Sequence, residues 1–235
     1  MEWLCRTEAL INAGNVAKLG SSHVLIVGLG GVGGYVAEML CRAGVGRLTI
    51  IDGDTVQPSN RNRQLPALCN NEGRLKTEVM AERLRNINPD VQLELISEFI
   101  RDERIIEIIS QPFDYVVDAI DTLSPKVFLL LHAKKNNLRI VSSMGAGGRL
   151  DPLQVRIDDI SKTFNCRLAR TVRKRLRKFG VESGIKTVFS TELIDKELVV
   201  DCNEQNKKSI VGTISYLPAI FGCVCASVVI RGLID

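Results

Sequence analysis

The sequence lacks any CxxC pair, and its seven cysteines are odd in number. Thiols at that spacing are common ligands of structural zinc and common partners in redox-active disulfides. Two of the cysteines lie inside apolar runs, which is typical of reduced thiols in a cytoplasmic protein and not of a disulfide framework. The opening MEWLCRTEALINAG carries an early acidic residue and no long apolar core, so we expect no signal peptide.

An internal repeat and a low-complexity linker are also absent, so no boundary divides the 235 residues into independent domains. Hydrophobic residues make up 45% and charged residues 25%, a balance that permits a sizeable core. The net charge of +4 is small, so its distribution along the chain is more informative than its total. We predict a single domain over 1–235, with a regular part at 1–150 and a dependent extension at 151–235.

Apolar runs of strand length alternate with segments of helical periodicity in the regular part, after a short amphipathic helix predicted at 6–18. Strands are predicted at 23–28, 47–52, 91–96, 113–121 and 138–143, and helices at 31–44, 75–87, 102–110 and 124–136. This alternation predicts a Rossmann-like, doubly wound, mostly parallel α/β sheet with helices on both faces. The polar, aperiodic loop at 53–74 is long enough to indicate a functional role.

The extension follows a different pattern, which predicts antiparallel strands and helices added to the sheet. Strands are predicted at 154–160, 187–192 and 197–202, a basic helix at 165–180 and an apolar helix at 215–234. The apolar helix is barely long enough to span a bilayer and contains a proline, glycines and an arginine. A buried helix, contributing to a subunit interface, is the favoured interpretation, and peripheral membrane association stays open.

A glycine turn, GLGGVG, follows the first predicted strand and opens a helix. Gly28 permits the tight turn, Gly30 lets the backbone approach phosphate, and Gly33 lets the helix lie close to the sheet. The helix N-terminus then offers N–H groups and a positive dipole to an anion. Asp52 ends the second strand, where a carboxylate accepts hydrogen bonds from ribose hydroxyls. The pattern indicates an adenine nucleotide, without choosing between a dinucleotide and a triphosphate.

Cationic and amide side chains downstream favour the triphosphate. Asn60, Arg63 and Gln64 lie in the long loop, and Lys76 opens the next helix. Arg and Lys suit the extra charge of a triphosphate, whereas a glycine turn largely satisfies a single pyrophosphate. Asp121 follows a strand at the carboxyl edge, where a carboxylate holds Mg²⁺ against phosphate. The alternative is that Arg63 and Lys76 are solvated loop charges and Asp121 caps a helix.

The segments GLGGVG, IDGDTV, SNRNRQ, Lys76 and DAID together resemble the adenylating domain of ubiquitin-activating enzymes and of the bacterial molybdopterin-synthase and thiamine-pathway adenylyltransferases. The resemblance implies that ATP and Mg²⁺ bind at the regular part, with Asp121 as the metal ligand. It implies a catalytic role for Arg63, Lys76, Asp121 and also Arg6, which would reach the ATP of a partner subunit. The implied ATP-binding residues are Gly28, Gly30, Gly31, Gly33, Asp52, Asp54, Asn60, Arg63, Gln64, Lys76 and Asp121.

The extension resembles one branch of that superfamily, the tRNA threonylcarbamoyladenosine dehydratases, on the segments SSMGAGGRLDPLQVRIDDISKTFNCRLARTVRKRLRK and VFSTE. The resemblance implies adenylation of the carboxylate of N6-threonylcarbamoyladenosine in tRNA, then ring closure with loss of AMP. It also implies a homodimer, and it leaves a structural monovalent cation and a sulfur-acceptor protein partner open. Branches that load ubiquitin-like carriers usually hold zinc with two CxxC pairs, so we expect no zinc here.

A basic helix is predicted in RLARTVRKRLRK, with Leu168, Val172 and Leu176 at helical spacing as its anchors. Concentration of positive charge in one helix favours tRNA as its partner. An anionic membrane surface and a merely solvated face are the alternatives. The residues predicted to contact nucleic acid are Arg170, Arg173, Lys174, Arg177 and Lys178. The nearby GAGGRLDP segment either lines the substrate pocket or forms a turn.

Three other functions are alternatives to the dehydratase. An adenylyltransferase for a small sulfur-carrier protein shares the ATP site but needs a groove for an extended carrier tail. A nicotinamide-dependent oxidoreductase is supported only by the glycine pattern and Asp52. A non-catalytic tRNA- or membrane-binding module does not explain the presence of Arg63, Lys76 and Asp121. No cysteine is nominated as a nucleophile, because ring closure within the substrate needs none.

Overall fold

A computed structural model describes residues 2–194, 199–204 and 207–235, with the backbone alone described at 199–204 and 207–210. The predicted strand at 197–202 therefore begins outside the described residues, and only its later part is observed. Strands and helices are numbered in chain order.

Seven strands form the central sheet, in the order β3-β2-β1-β4-β5-β7-β6, and all are parallel except β6, which runs antiparallel to β7. They are β1 (His23–Val27), β2 (Arg47–Ile51), β3 (Gln92–Ile96), β4 (Tyr115–Asp118), β5 (Ile140–Ser143), β6 (Val155–Asp159) and β7 (Lys186–Ser190). A separate antiparallel pair is formed by β8 (Val199–Glu204) and β9 (Lys207–Val211). The predicted parallel, doubly wound sheet with an antiparallel addition is confirmed.

Helices cover both faces of this sheet. They are α1 (Cys5–Ile11), α2 (Ala13–Ser21), α3 (Gly33–Arg42), α4 (Lys76–Ile87), α5 (Asp102–Ile109), α6 (Leu123–Lys135), α7 (Arg167–Arg177) and α8 (Tyr216–Ile234). One core joins the sheet to α3, α4 and α8, and the other joins it to α5, α6 and α7. Strands β1 and β4 are buried along their whole length, which is why their sequences are continuous apolar runs.

The parallel register brings the ends of the strands to one edge. Val27 pairs with Ile51 of β2 and with Asp118 of β4, and Ile51 pairs with Ile96 of β3. The loops that follow these four strands therefore emerge side by side. Ligands of doubly wound sheets bind at this carboxyl edge, so the fold brings the loops of the predicted site together.

The helix predicted at 6–18 is divided in two at Asn12. Asn12 has a φ of 68°, a left-handed conformation that asparagine tolerates better than most residues. Its side chain accepts a hydrogen bond from the backbone N–H of Asn15 at 3.0 Å and so caps α2. The amphipathic spacing continued across this point, so periodicity alone did not reveal the break.

Helix α8 packs against α3 and the centre of the sheet. Leu217, Phe221, Cys225 and Val229 are buried, and the Gly222 backbone lies so close to Val32 that an added Cβ would be 2.6 Å from its carbonyl oxygen. Among the described helices, α8 alone is long and apolar enough to cross a membrane, with a mean hydropathy of 2.1, and half of that stretch is buried in the chain. A core helix passes the same criteria.

Candidate active site

The glycine turn lies between the end of β1 and the start of α3. Gly28 has a φ of 94°, and an added Cβ would be 2.8 Å from the carbonyl oxygen of Ala119. A Cβ on Gly33 would collide with the carbonyl group of Gly28. Both positions therefore require glycine, as the pattern predicted. Because α3 begins at Gly33, the N–H groups of its first turn open toward the carboxyl edge.

Asp52 joins the glycine turn to the loop that follows β2. Its carboxylate accepts hydrogen bonds from the backbone N–H of Leu29 at 2.7 Å and of Asp54 at 2.8 Å. Burial raises the pKa of Asp52, and the nearby Lys76 ammonium opposes that shift. The carboxylate is thus fixed beside the turn, and its remaining lone pairs suit ribose hydroxyls.

Lys76 is buried, with 4% of its surface exposed, although it is the first residue of α4. Its ammonium lies 3.0 Å from a carboxylate oxygen of Asp54, and its backbone N–H donates to the Asp54 carbonyl at 3.1 Å. A buried ammonium group is costly without several acceptors. One carboxylate satisfies part of that need, and an anionic ligand would satisfy more.

The polar loop places Arg63 and Gln64 against the glycine turn. A Cβ on Gly31 would lie 3.3 Å from the Arg63 carbonyl oxygen, and one on Gly30 would lie 3.8 Å from the Gln64 amide nitrogen. The Arg63 guanidinium donates to the carbonyl of Ser59 at 3.0 Å, within the same loop. These contacts bring the predicted loop residues to the predicted turn.

Gln64 also carries an unsatisfied polar atom. Its side-chain oxygen Oε1 is buried and has no hydrogen-bond partner among the described residues. A buried acceptor without a donor is unfavourable by about 1–3 kcal/mol. A ligand hydroxyl or amino group beside Gly30 would supply that donor. Asn60, by contrast, uses its side-chain oxygen to accept the backbone N–H of Gln57 at 3.1 Å and so shapes the loop.

Asp121 lies in the turn between β4 and α6 and is exposed at the same edge. Within the described residues there is no group of three or more His, Cys, Asp or Glu side chains that could hold a metal ion. Mg²⁺ often binds through one or two carboxylates and substrate phosphates, and not through a full protein cage. Asp121 fits that mode, in which a nucleotide supplies the other ligands.

Sequence reasoning missed a buried network directly beneath Asp121. The Lys126 ammonium lies 2.7 Å from a carboxylate oxygen of Asp118, and both side chains are fully buried. Ser142 Oγ donates to the same Asp118 oxygen at 2.5 Å, and Lys126 also donates to the Ile120 carbonyl at 2.9 Å. The one available signal was a lysine inside the apolar run of α6, facing the first acid of DAID.

Within a single chain, Arg6 does not lie near this site. Leu4, just before α1, lies against Gly44, where an added Cβ would be 2.9 Å from the leucine methyl. Gly44 follows the C-terminal end of α3, whereas the glycine turn is at its N-terminal end. Ten residues of helix separate the two ends by about 15 Å. The exposed Arg6 therefore lies near the opposite end of α3 from the glycine turn.

Ala169, Val172 and Leu176 anchor the basic helix α7 in the hydrophobic core, while Leu168 is only partly buried. Arg173 is half-buried and donates to the Thr163 carbonyl at 2.7 Å, and burial lowers its pKa. Within the described residues, the exposed cations of this helix form no ion pair with an acid. They are Arg167, Arg170, Lys174, Arg175, Arg177 and Lys178.

The position of α7 links it to the carboxyl edge. The Arg175 guanidinium donates to Ser124 Oγ at 3.0 Å, and Ser124 lies in the first turn of α6, three residues after Asp121. The positive helix is thus attached to the element that follows the Asp121 turn.

The GAGGRLDP segment is fixed by contacts within the chain. Arg149 is buried and donates to the carbonyls of Asn165 at 3.1 Å and Glu192 at 3.3 Å. The Glu192 carboxylate accepts the backbone N–H of Asp151 at 2.8 Å. Gly148 has a φ of 72° and packs against Ile194. These observations favour a turn over a pocket lining, because the positive φ of Gly148 and its packing explain why that position is a glycine.

Several known proteins resemble this chain over most of its length. A family described as the ThiF family matches residues 4–235. The chain is 38% identical over 231 residues to the tRNA threonylcarbamoyladenosine dehydratase of Haemophilus influenzae, covering 94% of this chain and 88% of that relative. It is 35% identical over 135 residues to the Escherichia coli sulfur carrier protein ThiS adenylyltransferase, covering 57% and 53%. A crystal structure of E. coli tRNA N6-threonylcarbamoyladenosine dehydratase, TcdA, in complex with ATP has a TM-score of 0.90 at 34% identity, covering 99% of this chain and 93% of that one.

Proposed function

The chain belongs to the ThiF family, and from that premise we propose that it is an ATP-dependent tRNA threonylcarbamoyladenosine dehydratase. The observation that carries the proposal is the extent of the match, since 94% of the chain, and so the extension as well as the nucleotide site, aligns with a dehydratase. The match to the sulfur-carrier adenylyltransferase covers only 57% of the chain.

The reaction begins with a carboxylate, which is a poor electrophile. An oxygen of the threonylcarbamoyl carboxylate attacks the α-phosphorus of ATP, the bond to the β-phosphate oxygen breaks, and pyrophosphate leaves. An atom of the same side chain then attacks the activated carbonyl carbon and closes a five-membered ring as AMP departs. The modified nucleoside loses one water overall, and no external nucleophile is needed because the reacting groups share one side chain.

The residues of the site fit the charges that this reaction develops. Arg63 and Lys76 stabilise the departing pyrophosphate, and the N–H groups at the glycine turn bind phosphate oxygens. Asp52 positions the ribose. Asp121 would hold Mg²⁺ together with phosphate oxygens, and the bound ion would neutralise further negative charge.

Three of the seven cysteines, Cys41, Cys223 and Cys225, are poor candidates for a thioester-forming nucleophile. Burial raises the pKa of Cys225, which lies in the core beneath the site. Burial likewise raises the pKa of Cys41 to about 11 and that of Cys223. The reactive form of cysteine is the thiolate, so a raised pKa makes these three thiols less reactive at neutral pH.

The test is mass analysis of nucleosides. Purified protein is incubated with Mg-ATP and tRNA that contains threonylcarbamoyladenosine, and the tRNA is digested under mild conditions that preserve a fragile ring. We expect ATP-dependent loss of one water from that nucleoside, and no change with an Arg63→Ala variant. An unchanged nucleoside, with ATP consumed only when a small carrier protein is added, would instead support the sulfur-carrier branch.

The proposal extends to the assembly. We propose a homodimer in which Arg6 of one protomer reaches the ATP of the other, because Arg6 is exposed and lies near the end of α3 that is remote from its own glycine turn. The exposed cations of α7 would contact the tRNA backbone, which provides affinity without selecting sequence. Recognition of the threonylcarbamoyl group would provide the selectivity.

A further inference from the structure

An exposed phenylalanine lies just before the basic helix α7. Phe164 precedes the first residue of that helix by three positions, and 55% of its surface is exposed. Its ring contacts the buried Phe189 of β7 edge to face, with the ring centroids 5.8 Å apart and the planes at 74°. This contact holds one side of the ring and leaves the rest open to solvent. A fixed aromatic surface beside the exposed cations of α7 suits a ligand that is both flat and anionic.

We propose that the Phe164 ring is a platform on which an unpaired base of the substrate RNA stacks. The inference deepens the proposed function, because it rests on tRNA being the substrate. It assigns a role to a residue that neither charge nor a motif indicated. Every nucleobase has a flat π-face, and proteins bind single-stranded RNA by combining aromatic side chains with a positively charged surface.

The contacts of the next residue, Asn165, place the Phe164 ring at the carboxyl edge of the sheet. The Asn165 side-chain amide donates to the carbonyl of Thr191 at 2.8 Å, and Thr191 directly follows β7. The Asn165 carbonyl accepts from the buried Arg149 guanidinium at 3.1 Å, and that guanidinium also donates to the carbonyl of Gly145, just beyond β5. The ends of β5 and β7 are thereby tied to the start of α7.

The backbone on both sides of Phe164 is fixed within the chain. Asn165 has a φ of 54°, a left-handed conformation that its two hydrogen bonds hold in place. On the other side, Thr163 is buried, and its carbonyl accepts from the Arg173 guanidinium at 2.7 Å. Little ordering of the chain is needed when a base stacks on the ring, so little of the stacking free energy is lost.

The order of the strands leaves this side of the edge to the RNA. The glycine turn follows β1 and Asp52 follows β2, so the proposed ATP lies on the β2 side of β1. On the other side of β1 come β4, β5 and β7, in that order. Asp121 follows β4, and Phe164 lies beyond it, at the ends of β5 and β7. An RNA that brings its carboxylate to the α-phosphate from this side passes the Phe164 ring.

The chemistry of the substrate makes unpaired bases available at this place. The threonylcarbamoyl group is attached to N6 of adenine, on the edge that pairs with another base, and its carboxylate has to reach the ATP. A nucleoside presented in this way belongs to a single-stranded part of the RNA, where bases can leave the stack and lie on an aromatic side chain. Arg167 and Arg170, exposed on the first turn of α7, would contact the adjoining phosphates.

The test measures binding of tRNA that contains threonylcarbamoyladenosine, without ATP, by fluorescence anisotropy. The variants are Phe164→Ala, Phe164→Leu, Phe164→Trp and Phe179→Ala. Phe179 is the matched control, because it is similarly exposed, at 59%, and lies beyond the other end of α7. We expect Phe164→Ala and Phe164→Leu to raise the Kd by about tenfold and Phe164→Trp to keep it near wild type, because stacking needs a flat π-face. Phe179→Ala should leave the Kd unchanged.

Salt dependence and fluorescence separate stacking from other effects. Phe164 carries no charge, so Phe164→Ala should weaken binding equally at every salt concentration and leave the slope of log K against log salt unchanged. Phe164→Trp in a Trp3→Phe background leaves a single indole, and a stacked base should quench its fluorescence when tRNA binds. The Kd of ATP, measured by calorimetry, should be the same in Phe164→Ala as in wild type.

Wild-type tRNA affinity in Phe164→Ala, or an indole that stays unquenched with tRNA bound, would overturn the base platform and leave the dehydratase intact. A loss of affinity that is accompanied by weaker ATP binding, or by dissociation of a dimer in sedimentation, would also overturn it, because Phe164 would then have a structural role. A wild-type chain that binds no tRNA would overturn both the platform and the proposed function.

Discussion

At the scale of single residues, the candidate site combines charged residues beside the glycine turn with a charged pair that is fully buried beneath them. Arg63 and Lys76 are proposed to contact the phosphates, whereas Asp118 and Lys126 form a fully buried pair. The buried pair acts through the backbone, because Lys126 binds the Ile120 carbonyl and Asp118 accepts the Ile120 N–H at 3.1 Å. Together they set the shape of the turn that ends at Asp121.

Replacing Arg63 or Lys76 by Ala should lower ATP-dependent tRNA turnover by about 10²-fold or more, because each loses charge stabilisation of the leaving pyrophosphate. Arg61→Ala is the matched control, since Arg61 lies in the same loop but pairs with Glu72. Steady-state kinetics with all three variants checks this. Near-wild-type turnover in Arg63→Ala and Lys76→Ala would contradict the triphosphate assignment.

Lys126→Met should destabilise the fold by roughly 3–5 kcal/mol, because it leaves the Asp118 carboxylate buried without its cation. Chemical denaturation of Lys126→Met and of Lys135→Met, an exposed lysine of the same helix, gives the comparison. The Asp118→Leu/Lys126→Met double variant removes the orphaned charge and should recover part of the loss. Equal stability of the two single variants would show that the buried pair is not important for folding.

At the scale of elements, the sequence predicted the regular half well. The strands of a parallel sheet are buried on both faces, so their continuous apolar runs are visible without any partner, and the Gly28–Gly33 turn has its own local pattern. Two features were harder to predict: the pairing of β6 with β7 in the extension, because it spans a helix, and the break at Asn12 in the regular part, because it depends on one dihedral angle.

Contacts between distant segments account for what the sequence did not predict at the site. Asp52, Arg63 and Lys76 were predicted from spacing along the chain. The network of Asp118, Lys126 and Ser142 was not predicted, because it joins β4, α6 and β5. A lysine in an apolar helix is not a motif by itself.

The basic helix gives a prediction about salt. Lys174→Gln/Arg177→Gln should weaken tRNA binding and make the slope of log K against log salt shallower by about 1.4, since each phosphate contact in single-stranded nucleic acid contributes about 0.7. Lys134→Gln/Lys135→Gln removes two exposed charges from α6 and is the control. Binding titrations over a range of salt concentrations check this. An unchanged slope would indicate that the exposed charges of α7 are solvated and do not contact tRNA.

At the scale of the whole molecule, the proposed exchange of Arg6 between protomers can be tested by complementation. Arg6→Ala and Lys76→Ala should each lack tRNA turnover as homodimers. When the two variants are mixed and allowed to exchange subunits, each heterodimer should contain one site with both Arg6 and Lys76. Random exchange makes about half of the dimers heterodimers. Up to about one quarter of wild-type activity should therefore return. Activity of Arg6→Ala alone, or no recovery in heterodimers confirmed by mass, would show that Arg6 does not act across the interface.

The packing of α8 has a consequence for the time course of synthesis. The surfaces that α8 covers include Val32 and Tyr115, and these are translated long before residues 216–234. At about 5–20 residues per second, the ribosome takes roughly ten seconds or more to pass from the first of them to the helix that shields it. Until α8 is available, the apolar face that it covers is exposed on the nascent chain, so the emerging chain should bind ribosome-associated chaperones until α8 docks.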